Sequence, residues 1–324
     1  ELIASVLKEK YNILYTQGNL NNHIGVPLTL LQLKPEHQLA IIEMGANHIG
    51  EIAMLCDMAQ PNFGLITNVG KAHLEGFGSF ETIKKTKAEL YEHLKRKNGT
   101  VFYNNENLIL KELVDNYQQS VSFGSKNADF TGEPVSSPPY LSARMKLPEG
   151  EFSIKTQLTG YYNFENVMAA ACIGNYFEVE PTRIQAAIEN YRPENNRSQL
   201  IKKSRLQIIM DAYNANPTSM QASIESFVSA FSAPRYLILG DMLELGEQSL
   251  SEHKLILEQT KKHHFEAVFL VGPVFKEAAQ NFHFISFQNS DELCSYLVSN
   301  PLKEGAVLIK GSRGIQLEKV LDFL

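Results

Sequence analysis

The sequence predicts an α/β protein of two domains, a central, doubly wound, mostly parallel sheet followed by a second, Rossmann-like α/β unit. Three observations lead there. Short β-branched apolar runs alternate with helical patterns almost from end to end, as parallel strands covered by helices on both faces require. The chain has 324 residues, more than one hydrophobic core usually serves. A polar stretch at 191–197, holding Pro193, Asn195 and Asn196, interrupts the alternation and reads as a linker. The boundary is therefore placed near residue 192, giving domains of 1–191 and 192–324.

The first element is helical, because Leu2, Ile3, Val6 and Leu7 fall on one face. The sequence opens at Glu1 inside this pattern, so the chain is expected to be part of a longer polypeptide. Strands are expected at 38–44, 63–68, 100–103 and 120–123, with helices between them. From 130 to 158 the pattern changes: Pro134, Pro138, Pro139 and Pro148 break it, and Glu149-Gly150 reads as a turn between two strands. A small antiparallel excursion at the sheet edge fits this stretch. Helical periodicity returns at Asn163–Tyr176 and Pro181–Asn190, with Pro181 at a first helical position. After the linker, strands are expected at Leu206–Asp211, 235–239, Ala267–Val271, 282–287 and 306–310, again separated by helices. No internal repeat or low-complexity tract is evident.

Composition narrows the function classes. Hydrophobic content of 44 % and charged content of 20 % are those of an ordinary globular protein. A net charge of −6 argues against a large nucleic-acid-binding face. The longest apolar runs, such as 39–42 and 236–239, are strand-length and far below the roughly 20 residues that span a bilayer, so no membrane insertion is expected. Cys56, Cys172 and Cys294 are scattered and sit in apolar or helical contexts, which reads as buried, reduced thiols and suits a cytoplasmic protein.

Several loops carry chemistry-bearing residues. Glu43 ends a hydrophobic strand and is followed by Gly45, the position where α/β sheets place ligands and metals. It could hold a Mg²⁺ between nucleotide phosphates, or simply cap the following helix. The next strand runs into Thr67-Asn68-Val69-Gly70 and then Ala72-His73-Leu74-Glu75-Gly76-Phe77-Gly78. His73 reads either as a hydrogen-bonded loop residue or as a metal ligand on the same sheet edge as Glu43. Lys84 and Lys85 read as a solvated helix face, and composition alone gives Lys87 no special role. Asn19-Leu20-Asn21-Asn22-His23-Ile24-Gly25-Val26-Pro27 is by itself a polar turn.

Taken in order and spacing, these segments resemble the Mur ligases, ATP-dependent amide ligases of bacterial cell-wall synthesis, and within them the branch that adds D-alanyl-D-alanine. The resemblance rests on Glu-Met-Gly-Ala-Asn-His from Glu43, Thr-Asn-Val-Gly-Lys-Ala-His-Leu-Glu-Gly-Phe-Gly from Thr67, and Lys-Ala-Glu-Leu from Lys87. It continues through Asn163-Phe164-Glu165-Asn166, Asp211-Ala212-Tyr213-Asn214-Ala215-Asn216-Pro217, Gly240-Asp241-Met242-Leu243-Glu244-Leu245-Gly246 and Lys310-Gly311-Ser312-Arg313, across nearly the whole chain. It implies ATP and two Mg²⁺ sites, held by Glu43, His73 and a CO₂-carbamylated Lys87. It implies nucleotide contacts from Asn163, Asn166, Arg197, Asp211, Asn214 and Asn216. Asn19, Asn22, Lys310, Ser312 and Arg313 would face the substrates, UDP-N-acetylmuramoyl-tripeptide and D-alanyl-D-alanine. Many relatives have histidine where this chain has Tyr162. The family's Gly-x-x-Gly-Lys-Thr phosphate loop is not in this sequence and is expected just upstream of Glu1, after a UDP-binding domain.

The implied reaction activates a carboxylate as an acyl phosphate, which the amine of the dipeptide then attacks. With an α-amino pKa of roughly 7.7–8.0, part of that amine is already neutral at pH 7, so positioning and electrostatics should dominate over base catalysis. A monomer with a linker suits closure of the second domain onto the nucleotide. Two other readings compete: another Mur-type or folylpolyglutamate-type ligase, which the Asp211–Pro217 and Gly240–Gly246 segments oppose, and a non-catalytic nucleotide-binding fragment.

Overall fold

Two six-stranded sheets and a separate two-stranded pair organise the chain. The computed structural model describes residues 1–70, 74–135, 138–147, 150–194 and 196–324. In the first unit the elements are α1 (Leu2–Leu7), β1 (Ile13–Tyr15), α2 (Gly25–Leu30), β2 (Leu39–Ile41), α3 (Glu51–Ala59), β3 (Phe63–Leu65), α4 (Leu74–Phe77) and α5 (Phe80–Arg96). They continue with β4 (Thr100–Asn104), α6 (Leu108–Val114), β5 (Ser120–Gly124), β6 (Phe130–Val135), β7 (Tyr140–Leu147), β8 (Gly150–Thr159), α7 (Asn163–Tyr176) and α8 (Pro181–Asn190). The second unit holds β9 (Gln199–Lys203), β10 (Leu206–Asp211), α9 (Pro217–Ala230), β11 (Arg235–Gly240) and α10 (Ser249–Thr260). It continues with β12 (Ala267–Val271), α11 (Pro273–Ala278), β13 (Ile285–Phe287), α12 (Ser290–Ser299) and β14 (Gly305–Lys310), followed by short 3-10 turns at Arg313–Ile315 and Leu317–Phe323.

The first sheet runs β3-β4-β5-β6-β7-β8, parallel as far as β6 and antiparallel from β6 to β8. The proline-rich stretch therefore forms the antiparallel edge that its composition implies. Of its expected turn, Pro148 and Glu149 lie outside the described residues. Helix α7 carries the core of this unit. Val167, Ala170, Ala171 and Cys172 are buried, and Gly174 lets α1 come close, since a Cβ there would lie 2.4 Å from Val6 Cγ1. The second sheet runs β13-β12-β11-β14-β10-β9, parallel except for the β9–β10 pair. Its central strands β11, β12 and β14 are almost wholly buried, as helix-covered parallel strands must be. Cys56, Cys172 and Cys294 are buried free thiols.

Three differences from the sequence expectations have physical causes. The strand expected at 38–44 stops at Ile41 and pairs with β1, outside the six-stranded sheet. Beyond it, Glu43 N–H donates to Thr16 Oγ1 and Gly45 N–H to Asn21 O, so loop bonds replace the ladder. The strand expected at 282–287 shortens to Ile285–Phe287, because Phe282 and Phe284 instead stack on one another ahead of it, 5.7 Å apart. Strand β9, with Lys202 and Lys203 at its end, lacks the apolar density that marks a strand and is held by its antiparallel partner at the sheet edge.

The two units share apolar packing. One contiguous core cluster joins Ile66, Val69 and Phe77 of the first to Met220, Met242 and Leu245 of the second. Thr159 Oγ1 donates to Ser198 O at 2.9 Å, Tyr161 N–H to Ser226 Oγ at 3.2 Å and Glu75 N–H to Glu244 O at 3.2 Å. This contact brings the loops at the strand ends of both sheets to one place.

Candidate active site

Helix α5 shows why Lys87 differs from its neighbours. Ile83, Lys87, Tyr91 and Leu94 recur at spacings of four, four and three, which puts them on one face. Ile83, Tyr91 and Leu94 are buried on that face. Tyr91 fixes the helix to the sheet: its hydroxyl donates to Phe102 O at 2.8 Å and accepts from Ile66 N–H at 3.2 Å. The helix begins at Ser79, whose side chain accepts from Thr82 N–H, and ends with His93, Lys95 and Arg96 against the negative end of its dipole. Lys84 instead pairs with exposed Glu112 at 2.7 Å. Lys87 is half-buried, its ammonium donates to Asn68 O at 2.8 Å, and burial pulls its pKa below that of an ordinary lysine.

Glu43 follows β2 and is oriented from two sides. Asn21 Nδ2 donates to its Oε1 at 2.8 Å, and Thr16 holds its backbone. The Asn22 side chain accepts from Ile24 and Gly25 N–H groups, so it organises the start of α2. Asn19 accepts through its carbonyl from Asn21 N–H at 2.8 Å, closing the same turn. Glu89, two residues beyond Lys87 on α5, accepts from Gly50 and Ala53 N–H groups at the start of α3, both at 2.8 Å. The loop after Glu43 and helix α5 are thereby braced together. His73 lies outside the described residues. Among the described residues, no three His, Cys, Asp or Glu side chains gather at metal-binding spacing.

At the start of α7, buried Asn163 donates to Thr159 O at 2.7 Å and accepts from Asn166 Nδ2 at 2.9 Å. Asn166 is exposed and held in place by this bond. Opposite stand the ends of β10 and β14, where Asp211 and Lys310 are register partners. Their ion pair measures 2.6 Å, with side-chain exposures of 13 % and 3 %, and is thus a desolvated pair. Asp211 also accepts from Ser198 N–H at 3.1 Å and Ser223 Oγ at 2.9 Å, which supplies the extra bonds a buried pair needs. Tyr162 reaches across from the first unit, its hydroxyl 2.7 Å from Ser198 Oγ, and burial raises its pKa. Asn214 Oδ1 accepts from Ala215 N–H, and Asn216 caps α9 in a reciprocal box with Ser219.

The turn after β14 and the loop after β11 support one another. Ser312 Oγ accepts from Leu243 N–H at 3.0 Å, and Ser312 N–H donates to Asp241 O at 3.2 Å. Asp241, 1 % exposed, accepts from the N–H groups of Val274 and Phe275. A Cβ on Gly272, at φ +123°, would lie 2.3 Å from that carboxylate, so only glycine fits there. His253, fully buried, accepts through Nε2 from Met242 N–H at 3.0 Å and donates through Nδ1 to Ser249 O at 2.7 Å.

The sequence matches the Mur ligase middle domain over residues 1–174 and the Mur ligase glutamate ligase domain over residues 196–313. The chain belongs to the Mur ligase family. It is 33 % identical to a UDP-N-acetylmuramoyl-tripeptide--D-alanyl-D-alanine ligase of Buchnera aphidicola, over 100 % of this chain and 72 % of the relative. It is 34 % identical to the enzyme of that name from Haemophilus influenzae, over 99 % and 72 %. The crystal structure of MurF from Acinetobacter baumannii superposes with a TM-score of 0.90 at 29 % identity, covering 99 % of this chain and 72 % of that one.

In this Mur ligase chain the structure brings the end of β10, the turn after β14 and the linker together, with Asp211, Lys310 and Arg197 among them. Four further residues organise the site and escape sequence reading: Asn21, Glu89, Ser198 and Tyr213. Glu89 and Tyr213 stood inside the segments that carry the family resemblance and Asn21 inside the polar turn from Asn19 to Pro27, and their signal was that position alone. Ser198 had none, because its part depends on a φ of +49° and on partners in both units.

Proposed function

We infer that the protein ligates D-alanyl-D-alanine to UDP-N-acetylmuramoyl-tripeptide at the expense of ATP, a cytoplasmic step in assembling the cell-wall precursor. The observation that carries this reading is identity of 33–34 % across both units to ligases named for that reaction. A likeness confined to the first unit would support nucleotide binding only. The second unit meets the first beside Asp211, where Ser198 bonds both Tyr162 and the Asp211 carboxylate.

ATP and Mg²⁺ follow from the family, and the donor set fits the ion. Glu43 offers a carboxylate aimed by Asn21, the hard oxygen that Mg²⁺ prefers. An ammonium does not fit beside a cation. Burial, however, favours the neutral amine of Lys87, and that amine can add to the carbon of CO₂, forming an N–C bond as one C–O π bond opens onto oxygen and one N–H proton passes to solvent. The resulting carbamate would supply anionic oxygen to a second Mg²⁺, and His73 would be a further residue to hold it. Bound Mg²⁺ would neutralise the phosphates during transfer to the tripeptide carboxylate. Asn166, braced by Asn163, offers an amide to the adenine, and Asp211, Asn214 and Asn216 shape the loop facing the nucleotide. Asn19 and Asn22 shape the turn facing the UDP-sugar peptide. Lys310, Ser312 and Arg313 line the side from which the dipeptide arrives.

The test is product analysis on the full polypeptide with ATP, Mg²⁺ and UDP-N-acetylmuramoyl-tripeptide, offering D-alanyl-D-alanine, diaminopimelate or lysine in separate reactions. Phosphate release and a product heavier by the dipeptide, with D-alanyl-D-alanine alone, are expected. Equal use of a single amino acid would move the protein to another branch of the family.

A further inference from the structure

The loop from Asp211 to Pro217 contains one aromatic residue to which the reaction above gives no part, Tyr213. Its neighbours have committed side chains. The Asp211 carboxylate accepts from Ser198, Ser223 and Lys310, Asn214 accepts from Ala215 N–H, and Asn216 caps α9. Half-buried Tyr213 instead stands between two arginines from different elements. The Arg197 guanidinium carbon, from the linker, lies 3.7 Å from the ring centroid, and that of Arg313, from the turn after β14, lies 5.9 Å away. Both distances fall within cation–π range.

Charge makes this arrangement informative. Arg197 and Arg313 are exposed, and among the described residues neither forms an ion pair. Lys310 adds nothing to the excess, because Asp211 neutralises it at 2.6 Å. Two guanidinium groups at one ring repel each other, and the ring face offsets only part of that. An anion resting against both would relieve it, and the planar fork of arginine suits phosphate or carboxylate. An exposed arginine must also give up rotamer freedom to grip an anion, and a guanidinium already stacked on a ring gives up less.

We propose that Tyr213 is a positioning residue that holds Arg197 and Arg313 as a paired clamp for two anionic reactants. Arg197 takes the nucleotide polyphosphate, and Arg313 takes the free carboxylate of the incoming dipeptide. The inference rests on the ligase reading above. Because one ring seats both guanidinium groups, loss of the ring weakens both reactants together, which a loop that only supports the fold would not do.

Steady-state kinetics of the full polypeptide, varying ATP and D-alanyl-D-alanine in turn, test it. Tyr213→Leu should raise both KM values about three- to tenfold with kcat within about twofold. Tyr213→Phe, which keeps the ring, should bring both back towards wild type. Arg313→Gln should raise the dipeptide KM less in the Tyr213→Leu background than alone, since the two act as one device. Unchanged KM values in Tyr213→Leu, or Tyr213→Phe as impaired as Tyr213→Leu, overturn the proposal. Should Tyr213→Leu fail to fold, Arg197→Lys keeps the charge and loses the planar stacking surface. It should raise the ATP KM several-fold, and an unchanged value overturns the clamp. A wild-type protein that does not ligate D-alanyl-D-alanine removes the ligase reading itself, whereas an active wild type with indifferent Tyr213 variants removes the clamp alone.

Discussion

Lys87 and Lys84 are three residues apart on one helix and have opposite fates. Lys84, half-buried, meets the exposed carboxylate of Glu112, whereas Lys87 lies on the stripe of Ile83 and Tyr91 and meets only a carbonyl, that of Asn68, among the described residues. Residues three apart share a helix side, so their partners separate them rather than their spacing, and burial lowers the Lys87 pKa. The neutral amine that CO₂ requires is therefore more abundant at Lys87 than at an exposed lysine, and its fraction grows as pH rises. Lys87→Ala should cost about a hundredfold or more in ligation rate, with part regained on adding formate or acetate. Full activity in the unsupplemented variant would take Lys87 out of the mechanism.

At the scale of elements, the loop from Gly240 to Gly246 is held by the buried side chain of His253. His253 accepts from Met242 N–H and donates to Ser249 O, an arrangement that only the neutral, Nδ1-protonated imidazole satisfies. Burial accordingly lowers its folded pKa below 6.5. The unfolded chain binds the proton first on acidification, so stability is lost as pH falls through 6.5 towards the folded value. Asp241, raised by burial, contributes with the opposite sign, and a variant comparison separates the two. A glutamine can accept from Met242 and donate to Ser249 without titrating. Thermal midpoints measured from about pH 7 to about pH 5 should fall more steeply in wild type than in His253→Gln, although the variant starts lower. Parallel profiles would show that His253 does not set the acid response.

Across the whole molecule, the two sheets are not independent bodies in energetic terms. Their shared cluster, from Ile66 and Phe77 to Met220 and Leu245, buries apolar surface that either unit alone would expose. The buried polar contacts at Ser198, which meets Thr159 and Tyr162 of one unit and Asp211 of the other, add to this. Calorimetry of this chain should show one cooperative thermal transition, with agreement between calorimetric and van't Hoff enthalpies. Two well-resolved transitions would show that the units unfold separately and that the shared core contributes little.

The sequence by itself determined the alternation of strands and helices, the antiparallel edge built around its prolines, the bounds of Asn163–Tyr176 and Leu206–Asp211, and the family of the chain. Those features are local or periodic, so a run of residue types encodes them directly. Only the tertiary structure decided what each polar side chain in the site is bonded to. Asp211 reads in sequence as a group facing the nucleotide, and in the fold it is the partner of Lys310, 99 residues further on. Asn22, Asn214 and Asn216, which the family resemblance implies as contacts, also build turns and a helix start. Tyr213, silent in sequence, stands between two arginines because the linker and the turn after β14 converge on one loop. Hydrogen bonds and ion pairs between distant segments depend on distances that no residue pattern carries, and the distances came from packing the two sheets against each other.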